Sequence, residues 1–250
     1  MTHPKKKWGQ NFLRNRGAVE RIVAAIEAEP EDSILEIGPG EGALTFRLAE
    51  LGHPLIAIEI DPDLAHRLRA RLGDAVEIRE EDAVEAALPT TPYRAVGNLP
   101  YNVGTVILRR VISDPHCRRA VFMLQKEVAE RLVAAPRTDS YGYLTLFVRV
   151  FAEARILMTL EPRSFHPPPK VRSAVVILDP VSRALQSERE VLLDLLSMSF
   201  RMRRKKLVNN LAGYRGWSRE EVLEKLRRAG LDENVRAEEV SLDAFARIVS

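Results

Sequence analysis

Cysteine is nearly absent from this 250-residue chain, and long apolar runs are absent altogether. The single cysteine, Cys117, excludes an intramolecular disulfide and any structural zinc site built on three or four cysteines. The longest uncharged apolar stretches, such as Ala174–Leu178, are far shorter than the roughly 20 residues needed to cross a bilayer. No apolar signal core follows Lys5–Lys7. We therefore expect a cytoplasmic protein that has no membrane partner and no metal site.

The net charge is also small. The chain has 38 Lys and Arg against 35 Asp and Glu, which leaves a formal charge of +3, and this excess alone is no argument for a nucleic-acid partner. The basic residues are nevertheless clustered, because residues 1–16 and Phe200–Lys206 each contain five Lys or Arg and no acid. The remaining composition, 46% hydrophobic and 29% charged, is typical of a globular protein that buries a core.

The first 180 residues alternate between patterns of strand and helix. Helical periodicity occurs in Ala18–Ala28, Leu64–Leu72 and Glu127–Val133. The predicted strands are Ser33–Ile37, Pro54–Ile60, Ala75–Ile78, Arg94–Gly97 and Ala120–Leu124, followed by Leu144–Phe151 and Val171–Leu178 on either side of a proline-rich connection, Glu161–Lys170. This order predicts an α/β fold with a Rossmann-like sheet that is mostly parallel and has an antiparallel edge.

Strand patterns stop after Asp179-Pro180, and the rest of the chain is predicted to be helical. The predicted helices are Glu188–Leu211, Arg219–Arg228 and Leu242–Val249. Ser218 and Glu221 form a capping box at the start of the middle helix, and Gly230 marks its end. We therefore predict a catalytic domain over residues 1–180 and a small all-helical domain over residues 181–250.

A glycine-rich turn, Glu36–Thr45, follows the first predicted strand of the sheet. Gly38 and Gly40 allow the backbone to approach a ligand closely, while Glu59 and Asp82 follow later strands at the edge where α/β proteins bind ligands. Glu59 can accept hydrogen bonds from both hydroxyls of a ribose, and Asp82 can accept one from an adenine amine. The turn also fits the dinucleotide fingerprint of an NAD-dependent oxidoreductase. Two carboxylates without a clear basic phosphate clamp favour S-adenosylmethionine, which is a cation, over NAD.

A second turn, Gly97-Asn98-Leu99-Pro100-Tyr101, ends the fourth predicted strand at the same edge. The alternative is a plain proline turn with a surface aromatic. In the chemical interpretation, the Asn98 side-chain carbonyl and the Leu99 backbone carbonyl accept hydrogen bonds from an aromatic amine and draw its nitrogen toward tetrahedral geometry. Pro100 has no N–H to engage the Leu99 carbonyl, and Tyr101 can stack on the base. A base that is methylated in this way must be flipped out of its helix or be unpaired.

Taken together, the motifs resemble those of the ribosomal RNA adenine N6,N6-dimethyltransferases of the bacterial KsgA type. The resemblance covers nearly the whole chain, and the motifs occur in the family's order. Besides both turns, Glu59 and Asp82, they comprise Gly9-Gln10-Asn11-Phe12-Leu13, Glu127-Val128-Ala129-Glu130-Arg131-Leu132, Tyr141-Gly142, Phe165-x-Pro167-x-Pro169-x-Val171-x-Ser173 and Arg203-Arg204-Lys205-Lys206-Leu207. The chain departs from the family pattern after the second turn, where it has Asn102-Val103-Gly104-Thr105-Val106.

The resemblance implies specific roles for residues of these motifs. The residues expected to hold S-adenosylmethionine are Asn11, Leu13, Gly38, Gly40, Glu59, Asp82 and Asn98, the last of which also faces the target amine. The resemblance further implies that Tyr101 and Phe165 sandwich the target adenine. The alternative for Phe165 is a hydrophobic anchor of the proline-rich loop.

By the same resemblance, the chain dimethylates two adjacent adenosines near the 3′ end of small-subunit (16S) ribosomal RNA during subunit maturation. Its expected partner is then this RNA or the immature small subunit, and it is expected to act as a monomer. The expected RNA-binding residues are Lys5, Lys6, Lys7, Arg201, Arg203, Arg204, Lys205 and Lys206, of which the last five are predicted to lie along a helix. A solvated helix face is the alternative for these five. A large-subunit RNA adenine methyltransferase of the macrolide-resistance type is the alternative function.

Overall fold

A computed structural model describes residues 10–181, 186–202 and 204–249. Its main feature is a seven-stranded sheet, and in a separate two-stranded sheet a strand near the N-terminal end of the described chain pairs with residues 165–166. The strands are β1 (Phe12–Leu13), β2 (Ser33–Ile37), β3 (Leu55–Ile58), β4 (Glu77–Arg79), β5 (Tyr93–Asn98), β6 (Cys117–Gln125), β7 (Ala152–Leu160), β8 (Phe165–His166) and β9 (Ser173–Pro180).

The order of strands in the main sheet is β4-β3-β2-β5-β6-β9-β7. From β4 to β6 all neighbours are parallel, and β9 is antiparallel to β6. Every residue of β2 is buried, as expected for a strand covered on both faces. Ile37, at the end of β2, pairs with Ile58 of β3 on one side and with Gly97 of β5 on the other. The carboxyl ends of these three strands therefore meet, and the predicted mostly parallel sheet with an antiparallel edge is confirmed.

The described residues also form ten α-helices. They are α1 (Arg16–Ala24), α2 (Thr45–Ala49), α3 (Pro62–Leu72), α4 (Gly104–Ser113), α5 (Lys126–Val133), α6 (Tyr143–Phe151), α7 (Gln186–Ser199), α8 (Leu207–Leu211), α9 (Arg219–Arg228) and α10 (Leu242–Val249). The capping box predicted for α9 is confirmed, since the backbone N–H of Glu221 donates to Ser218 Oγ and the Ser218 N–H donates to the Glu221 carboxylate. Gly230 follows α9 with a φ of +76°.

The chain divides into two compact units. The first runs to Ala129 and resumes over Ala154–Pro180, and the second comprises Glu130–Glu153 and the chain from Val181 onward. The second unit has its own core, to which helices α6 to α10 contribute buried residues such as Leu196, Val208 and Phe245. The domain division at residues 180 and 181 stays a prediction, and Glu130–Glu153 belongs to the second compact unit although it precedes that boundary.

One predicted strand, Leu144–Phe151, is wrong, because this segment forms helix α6. The backbone N–H of Gly142 donates to Thr145 Oγ1 at the start of the helix, and the Thr145 hydroxyl donates to the carbonyl of Arg131. Val148 and its apolar neighbours are buried on the helix. The strand at this edge of the sheet, beside β9, is β7, which begins directly after α6.

The predicted continuous helix Glu188–Leu211 is also wrong, because α7 ends at Ser199 and α8 begins at Leu207. The side-chain amide of Asn210 donates to the carbonyls of Ser199 and Met202, and these bonds stabilise the break. The described residues of the basic segment, Phe200–Lys206, are therefore not helical, which contradicts the expectation for Arg201, Arg204, Lys205 and Lys206. Arg203 lies outside the described residues, as do Lys5, Lys6 and Lys7.

Cys117 is a free, buried cysteine at the start of β6, and burial raises the pKa of its thiol to about 12. Among the described residues no group of three or more His, Cys, Asp or Glu side chains could hold a metal ion. None of the helices in the described ranges combines the length and the apolar character that crossing a membrane requires.

Candidate cofactor and base site

A cavity opens at the carboxyl ends of β2, β3 and β5 in the first compact unit. Counting its open mouth, it encloses about 950 Å³. Its lining residues come from the glycine-rich turn, from the ends of β3 and β5, from the loop after β4 and from the segment before β1. The predicted site residues among them are Asn11, Gly38, Gly40, Glu59, Asp82, Asn98, Leu99, Pro100 and Tyr101.

The glycine-rich turn forms one wall of this cavity. Gly38 and Gly40 have φ values of +67° and +60°, which are left-handed conformations that favour glycine. A Cβ atom at Gly40 would lie 3.0 Å from Cδ1 of Phe12, so the ring of Phe12 packs directly on the turn. The turn therefore presents bare backbone to the cavity, as close approach to a ligand requires.

Glu59 is held rigidly beside this turn. Its carboxylate accepts hydrogen bonds from the backbone N–H of Gly40 and of Asp61, both at 2.9 Å, and only 5% of the residue is exposed. Burial raises the pKa of Glu59 in spite of these two bonds. The buried Asp61 carboxylate in turn accepts from the side-chain amide of Gln10 at 2.9 Å. Asp61 is a site residue that the sequence interpretation missed, and its only signal was its position as the N-cap of α3.

Asp82 lies at the cavity mouth, in the loop between β4 and β5, and is exposed. Its Oδ1 accepts the backbone N–H of Val84 at 2.8 Å, and its carbonyl accepts the N–H groups of Glu85 and Ala86. The side chain therefore caps the short turn on which it lies, and this bond restricts the directions in which the carboxylate can point.

The amide of Asn98, the last residue of β5, has a defined orientation. Its Nδ2 donates to the backbone carbonyl of Asn11 at 2.7 Å, so its Oδ1 is the atom left to accept a hydrogen bond. The adjacent Leu99 is buried, and its N–H donates to the carbonyl of Met123 on β6 at 3.0 Å. The N–H of Gly104 donates to the carbonyl of Pro100, and this bond closes the turn before α4.

The ring of Tyr101 is partly buried in the cavity and is fixed at its hydroxyl. This hydroxyl lies 2.9 Å from Oγ of Ser173, which is fully buried at the start of β9. Burial raises the pKa of Tyr101. The motif that contains Ser173 was visible in the sequence, but its contact with a tyrosine 72 positions earlier was not.

Phe165 and Leu13 lie behind the cavity rather than in it. They pair in the two-residue strands β1 and β8 and are 4% and 5% exposed, within the main apolar core of the first unit. Leu13 does line a small recess behind the glycine-rich turn, together with Glu36 and Asn98. This burial agrees with the hydrophobic-anchor alternative for Phe165, and its stacking on the target adenine stays a prediction.

The electrostatic character of the cavity is uniformly acidic. The carboxyl groups among the lining residues are Glu59, Glu81 and Asp82, and the described lining residues include no Lys, Arg or His. The buried Glu36, which the sequence interpretation missed, belongs to the recess behind the turn, where burial and the nearby Glu59 carboxylate raise its pKa to about 8. Glu36 Oε2 makes no hydrogen bond within the described part of the chain. An acidic pocket with a bare glycine turn fits a cationic nucleoside better than a dianionic pyrophosphate.

Comparison with known proteins agrees with this geometry. The family model described as ribosomal RNA adenine dimethylase matches residues 1–250. A protein of Syntrophotalea carbinolica called ribosomal RNA small subunit methyltransferase A is 40% identical, with 99% of this chain and 97% of that protein covered. The protein of the same name from Methylococcus capsulatus is 41% identical, with 96% and 94% covered.

Two solved structures are similar over most of the chain. A dimethyladenosine transferase from Plasmodium falciparum has a TM-score of 0.81 at 25% identity, with 95% of each chain covered. The 23S rRNA methyltransferase ErmE has a TM-score of 0.77 at 29% identity, with 95% of this chain and 98% of that chain covered. With a family model that spans all 250 residues, and a fold and an acidic, glycine-lined cavity that agree with it, this chain belongs to the ribosomal RNA adenine dimethylase family.

Proposed function

We propose that this protein transfers methyl groups from S-adenosylmethionine to N6 of two adjacent adenosines near the 3′ end of small-subunit ribosomal RNA, giving N6,N6-dimethyladenosine. The relatives at 40% and 41% identity are called small-subunit methyltransferases. The single observation that carries the chemistry is the oriented amide of Asn98, whose Nδ2 is engaged by the Asn11 carbonyl so that Oδ1 is left as an acceptor.

The cofactor fits the residues of the acidic cavity. We infer that Glu59 holds the ribose, Asp82 the adenine amine, and Gly38 and Gly40 the methionine end, where their backbone can approach the ligand closely. Each oxygen of the Glu59 carboxylate accepts one backbone N–H and retains acceptor capacity for a ribose hydroxyl. When bound, S-adenosylmethionine supplies an electrophilic methyl group on a positively charged sulfur.

The protein's own contribution to the reaction is alignment and polarisation of the amine. An adenine amine is a poor nucleophile because its lone pair is delocalised into the ring. Asn98 Oδ1 and the Leu99 carbonyl accept its two hydrogens and draw the nitrogen toward tetrahedral geometry. Tyr101 stacks on the base and is held at the correct tilt by Ser173. No strong base is needed, since the amine proton can leave to water after transfer.

The basic residues position the RNA without reading its sequence. We assign this role to Lys5, Lys6, Lys7, Arg201, Arg203, Arg204, Lys205 and Lys206. Arg201, Arg204, Lys205 and Lys206 are exposed, although Lys206 also donates to the side-chain oxygen of Asn234. We further infer that the protein acts as a monomer in the cytoplasm, where its ribosomal substrate is assembled.

Transfer of labelled methyl groups to immature small subunits tests the proposal. We expect label in adenosine of the small-subunit RNA, recovered as N6,N6-dimethyladenosine, and none in protein-free large-subunit RNA. Asn98→Ala should abolish the label while the protein keeps its fold by circular dichroism. Label in large-subunit RNA alone would support the alternative function, and tight binding of NAD without binding of S-adenosylmethionine would refute the cofactor assignment.

A further inference from the structure

The turn that carries Asp82 is a single helical turn capped at both ends. At its start the Asp82 carboxylate accepts the N–H of Val84, and the Asp82 carbonyl accepts the N–H groups of Glu85 and Ala86 at 2.9 and 2.8 Å. A turn this short has carbonyls at its far end with no partner inside it. Those carbonyls need donors from elsewhere, and whatever supplies them also fixes the position of the turn.

Arg110 of helix α4 supplies these donors. Its half-buried guanidinium donates from one nitrogen to the carbonyl of Ala83 at 3.3 Å and from another to the carbonyl of Ala86 at 2.5 Å. A positive charge at the carbonyl end of a helical turn is favourable, and the planar guanidinium engages two carbonyls at once. One side chain therefore ties the turn that begins at Asp82 to the helix that follows the Asn98–Tyr101 turn.

We propose that Arg110 is the positioning residue for recognition of the cofactor's adenine: by clamping Ala83 and Ala86 it sets the direction of the Asp82 carboxylate. The inference rests on the proposed function, because it assumes that Asp82 accepts from the adenine amine. Arg110 is not among the residues that line the cavity, so it acts through the turn rather than by contact with the ligand. Its loss should therefore weaken the choice of adenine over a base that lacks the amine.

Calorimetry with two ligands separates this role from a general structural one. S-adenosylhomocysteine carries the adenine amine, and its inosine analogue has a carbonyl at that position. In the wild type we expect strong preference for the adenine ligand, because the analogue would place its carbonyl against a carboxylate. Arg110→Ala should lower the affinity for S-adenosylhomocysteine by about tenfold, with a much smaller loss for the analogue. The preference of Arg110→Lys for the adenine ligand should lie between those of the wild type and Arg110→Ala, because a lysine ammonium is a point charge and does not present the planar fork of a guanidinium.

A double-mutant cycle shows whether the effect passes through Asp82. Asp82→Ala should remove the preference, and adding Arg110→Ala to it should change the remaining affinities little. Arg109→Ala, at the exposed neighbouring position of α4, is the matched control for loss of a positive charge and should keep the wild-type preference. If Arg110→Ala does not fold, Arg110→Lys carries the same test.

The outcomes are distinguishable. A wild type that binds neither ligand would refute the proposed function, and one that binds both equally would refute the adenine role of Asp82 and the inference with it. A wild type that prefers adenine, together with Arg110 variants that keep the full preference, would overturn only the inference. An equal loss of affinity for both ligands in Arg110→Ala would also overturn the inference, because such a loss is expected when a residue only stabilises the structure.

Discussion

Glu36 makes the stability of this protein depend on pH in a direction that can be worked out. The carboxyl is 1% exposed at the end of β2, and its pKa is raised from 4.5 to about 8 by burial, with the nearby Glu59 carboxylate adding to the effect. Because the folded pKa lies above the ordinary value, the folded state keeps its proton to higher pH than the unfolded chain does. The free energy of unfolding should therefore fall as the pH rises from about 4.5 to about 8.

The magnitude follows from the size of the pKa shift. One pKa unit corresponds to about 1.4 kcal/mol, so Glu36 should lower the free energy of unfolding by a few kcal/mol, on the order of 3 to 4, between roughly pH 5 and pH 8. Glu36→Gln keeps the shape of the protonated side chain and removes its titration. This variant should therefore lack that part of the pH dependence, and its advantage over the wild type should grow with pH.

Urea unfolding of both proteins across this range measures the effect. The difference between the two free energies reports the titration of Glu36 together with its coupling to Glu59, because titrating groups that do not interact with Glu36 contribute equally to both proteins. The cost or gain of the amide itself is independent of pH and cancels when the difference is compared between two pH values. Parallel profiles for the wild type and Glu36→Gln would show that Glu36 ionises normally, and would refute the reasoning.

Three further predictions concern the site and the RNA. Ser173→Ala should lower the turnover rate several-fold without changing cofactor affinity. Because Ser173 acts through the Tyr101 hydroxyl, the double variant with Tyr101→Phe should be only slightly slower than Tyr101→Phe alone. Methyl-transfer assays in which the two effects add up fully would contradict this. Gly40→Ala should weaken binding of S-adenosylhomocysteine at least tenfold in calorimetry, because φ is +60° and Phe12 is already in contact; wild-type affinity would argue against the bare-backbone interpretation. Replacing both Arg204 and Lys205 with Glu should weaken binding to small subunits and make that binding less dependent on salt, while cofactor affinity stays unchanged. Unaltered binding to small subunits at moderate salt would show that neither residue contacts the RNA.

The sequence was sufficient to predict the central sheet, because its strands are short apolar runs buried on both faces. Ser33–Ile37 is a strand over the predicted residues, and its pairing with β3 and β5 brings the glycine-rich turn beside Glu59 and Asn98. Acids that follow parallel strands necessarily come to one edge of the sheet. That the candidate cofactor residues share one edge therefore follows from which segments are parallel strands, and local sequence patterns predict those segments.

The segment Leu144–Phe151 shows why other parts were not predictable. Its β-branched and aromatic residues are typical of a strand, yet it is a helix. The helix start is held by contacts from distant parts of the chain, such as the Thr145 hydroxyl on the Arg131 carbonyl, while the hydroxyl of the preceding Tyr141 donates to the Val240 carbonyl. Propensity is a weak guide where tertiary contacts of this kind decide the outcome.

The same limit applies to the N-terminal motif, whose residues have no evident chemistry when they are considered singly. Its role becomes clear only through its partners: the Asn11 carbonyl orients the Asn98 amide, and the Gln10 amide donates to Asp61, whose N–H donates to Glu59. A segment more than 40 residues from its partners in sequence thus connects the proposed acceptor for the target amine with the proposed acceptor for the ribose. Asn11 contacts Asn98 through its backbone carbonyl. The orientation of the Asn98 amide therefore depends more on where the backbone of Asn11 lies than on the Asn11 side chain. The motif therefore acts through its backbone at Asn11 and through a side chain at Gln10.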